Sequence, residues 1–169
     1  MRLHRNQIPS LSRKIVKALV DAEDIEVSSR SDVERDIESV LLNYLAEVDR
    51  VVSRAREMAQ QRGLPHGEFG RIKQLAAEQA GIKVGDDALD YVLNQLLQIL
   101  MHSHSVEEVF AEDHQLRRRM RPFVVSEAEE DSKLEQQVRS KLKHVEEGSR
   151  LWEIEYARMK ADIKRRRGM

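Results

Sequence analysis

A chain of 169 residues with a formal net charge of -1, 35% charged and only 4% aromatic residues is long enough to bury about 70% of its unfolded surface, but around a lean core. The near-zero charge gives no whole-molecule attraction to nucleic acid or anionic membrane. The absence of Cys excludes disulfides, thiolate chemistry and Cys-based zinc sites, and seven Gly with three Pro are too few turn residues for a strand-rich fold.

Met1 to Asn6 leads into no apolar run able to serve as a signal core. No stretch approaches the roughly 20 apolar residues of a membrane span. The expectation is a soluble cytoplasmic protein with no membrane contact. Pro9 suits a first helical turn, and Ile8, Leu11, Ile15 and Leu19 form the apolar stripe of a helix ending at Asp21 to Asp24. Asp24-Ile25-Glu26-Val27 reads as a short extended piece. Ser31, with Glu34 three residues on, makes a capping box in which hydroxyl and carboxylate each take a free amide. The helix it opens runs to Arg62, where Gly63 can adopt the left-handed cap.

Residues 63–70 hold three Gly and one Pro and form a linker. Arg71 to Ala80 is a short helix closed by Gly81. Gly85-Asp86-Asp87 starts another, in which Leu89, Val92, Leu93, Leu96, Leu97 and Leu100 form the most buried segment. Ser105-Val106-Glu107-Glu108 reads as a second capping box. Asp113 caps a short helix that Pro122 terminates. Phe123-Val124-Val125 is again extended, and Ser126 with Glu129 caps a last helix reaching about Arg166. Helices, a short apolar piece, a capping box and a long helix thus recur in two halves, 1–62 and 71–169, joined by the 63–70 linker.

Two stripes carry apolar residues in alternating steps of three and four. One is Ile37, Leu41, Tyr44, Val48, Val51, Ala55 and Met58; the other is Val138, Leu142, Val145, Trp152, Tyr156, Met159 and Ile163, with Ser149 in one slot. This is the seam of a two-helix coiled coil. Helices of about 32 and 40 residues would be about 48 and 60 Å long, too long for a globule with a radius of gyration near 15 Å. The predicted fold is therefore all-α and elongated. Residues 31–62 and 127–167 pair as a coiled-coil-like stalk, with small helical lobes 1–30 and 71–125 at its base and a break or close approach at Gly148-Ser149. Trp152, Tyr156, Met58, Met101, Met120 and Met159 are read as core.

The chemistry-bearing constellations are sparse. His102, His104, Glu108 and His114 are ligand types for zinc or another divalent ion, but His102 and His104 are two apart, so on a helix they diverge by about 200°. The acids Asp21, Glu23, Asp24, Glu26, Glu107, Glu108, Glu112 and Asp113 lie at helix N-termini or in linkers, where they complement the dipole. No phosphate loop follows a strand. Two basic clusters remain: Arg117, Arg118, Arg119 and Arg121, and the tail Lys164, Arg165, Arg166 and Arg167. Phosphate contacts would use such charges, yet neither cluster carries a stacking aromatic.

Met1-Arg2-Leu3 with Gln7-Ile8-Pro9, Asp86 to Tyr91, Val106 to Asp113 leading to Leu116 to Pro122, and Trp152 to Tyr156 with Arg165 to Gly168 together resemble the bacterial domain-of-unknown-function family 507 over essentially the whole chain. The resemblance implies a bacterial, helical, cytoplasmic protein and supplies no reaction, cofactor or binding residue. The expected role is a non-catalytic interaction or assembly protein without a cofactor, binding a protein partner or itself through the two basic clusters. A nucleic-acid-associated factor using the basic tail is the alternative, and a metal-dependent enzyme built on the His and carboxylate residues is the weaker one.

Overall fold

The computed structural model describes residues 1–142 and 150–166. Helix α1 (Ile8–Asp21) has Pro9 in its first turn and buries Ile8, Leu11, Ile15, Val16 and Leu19 completely. At its end the Asp24 N–H donates to Leu19 O and the Glu23 N–H to Val20 O. This closure needs a left-handed residue, and Glu23 fills that position at φ 57°. The chain then enters strand β1 (Ile25–Val27).

Helix α2 (Arg30–Arg62) is capped by Ser29, whose Oγ accepts the Asp32 N–H. The predicted cap at Ser31 lies two residues too far on: of the closely spaced Ser28, Ser29 and Ser31, Ser29 in extended backbone takes the cap. Gly63 and Gly81 close α2 and α3 (Phe69–Ala80) at φ 62° and 75°, as their sequence positions predict. After a 3-10 turn at Gly85–Asp87, helix α4 (Ala88–His102) buries Val92, Leu93, Leu96, Leu97 and Leu100. Strand β2 (Val106–Val109), helix α5 (Asp113–Lys141) and helix α6 (Arg150–Arg166) complete the described elements.

Three apolar clusters hold these elements. The largest joins α1, the first half of α2 (Val33, Ile37, Leu41, Tyr44), α4, and Leu116, Met120, Val124 and Ala128 of α5. The second half of α2 (Val51, Ala55, Met58) packs with Ile72, Ala76 and Ala77 of α3 and with Ile82 and Val84. The third belongs to α5 and α6: Leu134, Val138, Leu142 and Ile163, with Trp152, Tyr156 and Met159 against them. Trp152 stacks on Tyr156 with ring centroids 4.8 Å apart.

The expected stalk is therefore replaced by a different pairing. The seam of α2 is covered by α1, α4 and α3, while the C-terminal stripe closes on itself because α6 returns alongside α5. A 3.5-residue period specifies that a helix edge is covered, not which neighbour covers it. Val145, Gly148 and Ser149 lie outside the described residues. Met101 is also not core: it is 48% exposed.

Two further expectations fail near Pro122. Neither it nor Phe123–Val125 interrupts α5. Leu116, Met120, Val124 and Ala128 recur every four residues and are at most 9% exposed, and their burial outweighs the roughly 3 kcal/mol that an interior Pro costs. Nor is Ser105–Glu108 a capping box. Val106–Val109 is a strand that pairs antiparallel with β1, Ile25 opposite Val109, Glu26 opposite Glu108 and Val27 opposite Val106. The outlined repeat goes with it, since one of its two extended pieces is strand and the other helix.

Candidate functional site

The ribbon of β1 and β2 brings exposed carboxylates and an exposed aromatic side chain together. Its inner face carries Ile25, Val27, Val106 and Val109, buried or half-buried, while Glu26, Glu107 and Glu108 are exposed. The extra residue on β2 is Glu107, a bulge opposite the Glu26–Val27 step. Phe110, next in the chain, is 57% exposed, though its N–H donates to Asp24 O at 2.9 Å. A groove of about 680 Å³ runs along β1, lined by Val20, Glu23, Ile25 to Ser28, Arg30 and Phe110.

The arginine cluster begins beside this ribbon, and its members divide. Arg119 turns inward: its Nε lies 2.9 Å from Oδ2 of Asp24, whose side chain is only 10% exposed. Because Asp24 O also accepts the N–H groups of Phe110 and Ala111, Arg119 fastens α5 to the ribbon. Arg121 makes an exposed pair with Asp90 at 3.2 Å. Arg117 and Arg118 are exposed.

In the tail, Arg165 pairs with Asp162 and Arg166 is exposed; Arg167 lies outside the described residues. Lys164 lines a hollow with Leu3, His4, Arg5, Asn6, Leu45 and Asp49. That hollow adjoins a cleft of about 660 Å³ whose walls include Arg2, His4, Asp49, Arg56, Phe69 and Lys73. Arg2, Arg5, Arg56, Lys73 and Lys164 thus line two adjoining hollows that share Asp49, where the N-terminus, α2, α3 and α6 converge. Nearby, buried Lys160 reaches His4 Nε2 at 3.0 Å. Glu135 accepts from Tyr156 Oη at 2.9 Å and from Arg2 at 2.7 Å. Burial lifts the Tyr156 hydroxyl first and the bond to Glu135 adds to it, pushing its pKa up to about 12. For Glu135 burial acts upward, but Tyr156, Arg2 and Arg139 outweigh it and hold the carboxyl below its ordinary value.

The predicted metal ligands do not gather. His102 Nδ1 contacts Gln98 O within its own helix at 2.7 Å, Glu108 faces solvent on β2, and His114 lies 3.3 Å from Glu112 at the start of α5. Among the described residues no group of three or more His, Cys, Asp or Glu side chains is placed to hold a metal ion. Nor is any described helix long and apolar enough to cross a membrane.

A family model described as protein of unknown function (DUF507) matches residues 1–169. The chain belongs to the DUF507 family. No curated protein matches it. In this DUF507 protein the groove escapes sequence reading for a definite reason. The Glu107 bulge sets Val106 and Val109 three apart, a helical rather than a strand spacing, and Ser105 ahead of Glu108 imitates a cap. The remaining signal is the solitary Phe110 beside Val109.

Proposed function

We propose that this DUF507 chain is a non-catalytic interaction protein that receives a protein partner at the ribbon. The observation carrying this reading is the groove along β1, whose lining includes Val20, Val27 and Phe110, the last of them 57% exposed. A large aromatic at the mouth of a groove is the kind of anchor that dominates binding energy once covered. The basic residues Arg117 and Arg118 flank the same end of α5 as Arg119, which fastens it to the ribbon. Affinity purification of the native protein and of Phe110→Asp, compared by mass spectrometry, tests the reading. A partner held by the native chain and lost from the variant is the expected result. Identical retained proteins with unchanged thermal melting would overturn it.

The second reading, a nucleic-acid-associated factor, is favoured by two adjoining hollows that share Asp49, one lined by Arg5 and Lys164 and the other by Arg2, Arg56 and Lys73. Backbone phosphates would release counterions there, with binding that weakens steeply with salt. Mobility-shift titrations with RNA and DNA at low and high salt decide it. A salt-dependent shift reduced by replacing Arg56 and Lys164 with Ala supports this reading, and unchanged mobility at low salt removes it.

A further inference from the structure

We infer that the cleft between the N-terminus, α2 and α3 is a binding site for a nucleoside monophosphate, its phosphate held by Arg56 and Lys73 and its base laid on Phe69. The inference stands apart from the ribbon, and it gives this cleft a small ligand in place of the polymer of the second reading.

The shape supplies the first part. The cleft measures about 660 Å³ and takes its walls from four separate segments: residues 1–4, α2, the first turns of α3, and Val84 with Gly85. Pockets for small organic ligands have this size, with mostly apolar walls and a few convergent polar groups. Val48, Val52 and Val84 are part of the apolar wall. The walls are held in place without a ligand. Tyr44 Oη donates to Lys83 O at 2.8 Å and ties the chain ahead of Gly85 to α2. Leu3 is buried in the main core, and Val51, Ala55 and Met58 clamp α2 to Ile72 and Ala76 of α3. A preformed site loses less free energy to ordering when it fills.

The charges supply the second part. Arg54 has Glu57 at 3.4 Å and Arg71 has Glu68 at 2.8 Å. Arg56 and Lys73, each two residues further on, line the cleft and make no ion pair or side-chain hydrogen bond among the described residues. The cleft's Arg2 is already paired with Glu135 at 2.7 Å. Two uncompensated cations match the charge of about −1.5 to −2 on a phosphate monoester at pH 7, whereas a carboxylate would neutralise only one. Phe69 lies one turn before Lys73, about 6 Å along α3. It is half-buried and offers a π-face on which a planar base can stack. Arg56 and Phe69 also border the hollow at Gly63 to His66, and Asp49 borders that of Lys164, so they mark opposite ends of the cleft. Asp49 is two turns before Arg56, about 10 Å along α2, and its carboxylate accepts from hydroxyl or amino groups. A prenyl or acyl phosphate brings nothing to donate there, and a sugar phosphate sets its hydroxyls against valines. A nucleoside monophosphate meets the cations, the ring and the acid together.

The probes are AMP, GMP, CMP and UMP, titrated into the full chain and read by calorimetry and backbone amide shifts. The matching nucleosides, inorganic phosphate and an RNA strand of about ten nucleotides are the controls. Saturable binding of at least one monophosphate is expected, with shifts centred on Val52, Arg56, Phe69 and Lys73. Its nucleoside and inorganic phosphate should each bind at least about tenfold more weakly. Arg56→Gln combined with Lys73→Gln should weaken the monophosphate at least about tenfold and leave the nucleoside's affinity unchanged. Both side chains lie outside the apolar clusters, so thermal melting should hold, which separates lost binding from lost folding. Phe69→Leu should weaken the monophosphate and spare inorganic phosphate. No saturable binding of any of the four at millimolar concentration, shifts centred elsewhere, equal binding by the double variant, or inorganic phosphate binding as tightly would overturn the inference. RNA bound more tightly than every monophosphate, and lost from the double variant, would overturn it in favour of the second reading. Monophosphate binding with no RNA shift would keep it and remove that reading.

Discussion

Replacing Pro122 with Ala should make the protein more stable, although Pro122 lies within a helix that forms anyway. Pro122 has no N–H to give to Arg118 O, and its ring crowds that carbonyl; relative to Ala an interior Pro costs about 3 kcal/mol. The ring is exposed, so Ala forfeits no core contact. Against the gain stands a looser unfolded chain, which offsets about 0.4–1 kcal/mol. The expected net is about 2 kcal/mol, or about 4–8 °C for a chain of this size. Thermal melts followed by circular dichroism, with urea titration for the free energy, measure it. Val124→Ala, two residues on and fully buried, should lower stability by about 2 kcal/mol. If Pro122→Ala left the midpoint unchanged or lowered it, the claim that the Leu116–Ala128 stripe holds α5 together despite its Pro would be wrong.

Glu23→Gly should add about 0.5–1 kcal/mol, since a left-handed Glu is strained where Gly is not; a lower melting midpoint would contradict the strain. Arg119→Ala should cost about 1–2 kcal/mol, a charged bond discounted for the 47% exposure of Arg119. It should also speed amide exchange at Phe110 and Ala111, and exchange confined to other residues would refute its fastening role. Glu135 is depressed below its ordinary 4.5 in the folded state. Its contribution is thus complete above that pH and is lost as pH falls through the lower folded value. Trp152, the single tryptophan, should report α6 loosening in acid. Glu135→Gln should flatten that limb, and superimposable acid titrations of the two proteins would refute the assignment.

Local chemistry was legible and long-range pairing was not. Pro9, Gly63, Gly81 and the Leu-rich run of α4 mark their elements correctly because a cap or a stripe is decided within a few residues. The ribbon joins Glu26 to Glu108 across about half of the chain, and no local pattern encodes that partnership. Pro122 followed by Phe123, Val124 and Val125 reads as extended from propensity alone; it is helical because Met120 and Val124 are buried by α1 and α4. Of the basic residues singled out, Arg119 is a fastener and Lys164 borders a cleft. Charge content locates such residues on a helix but not their inward or outward aim.

The order in which α1 finds its cover has a consequence for synthesis. Ile8, Leu11, Ile15 and Leu19 are sealed in part by residues as late as Ala128. At roughly 5–20 residues per second, the ribosome leaves that oily face bare for something on the order of five to twenty seconds. Newborn chains should therefore be at their stickiest early, and an N-terminal fragment stopped before α5 is the form most prone to clump.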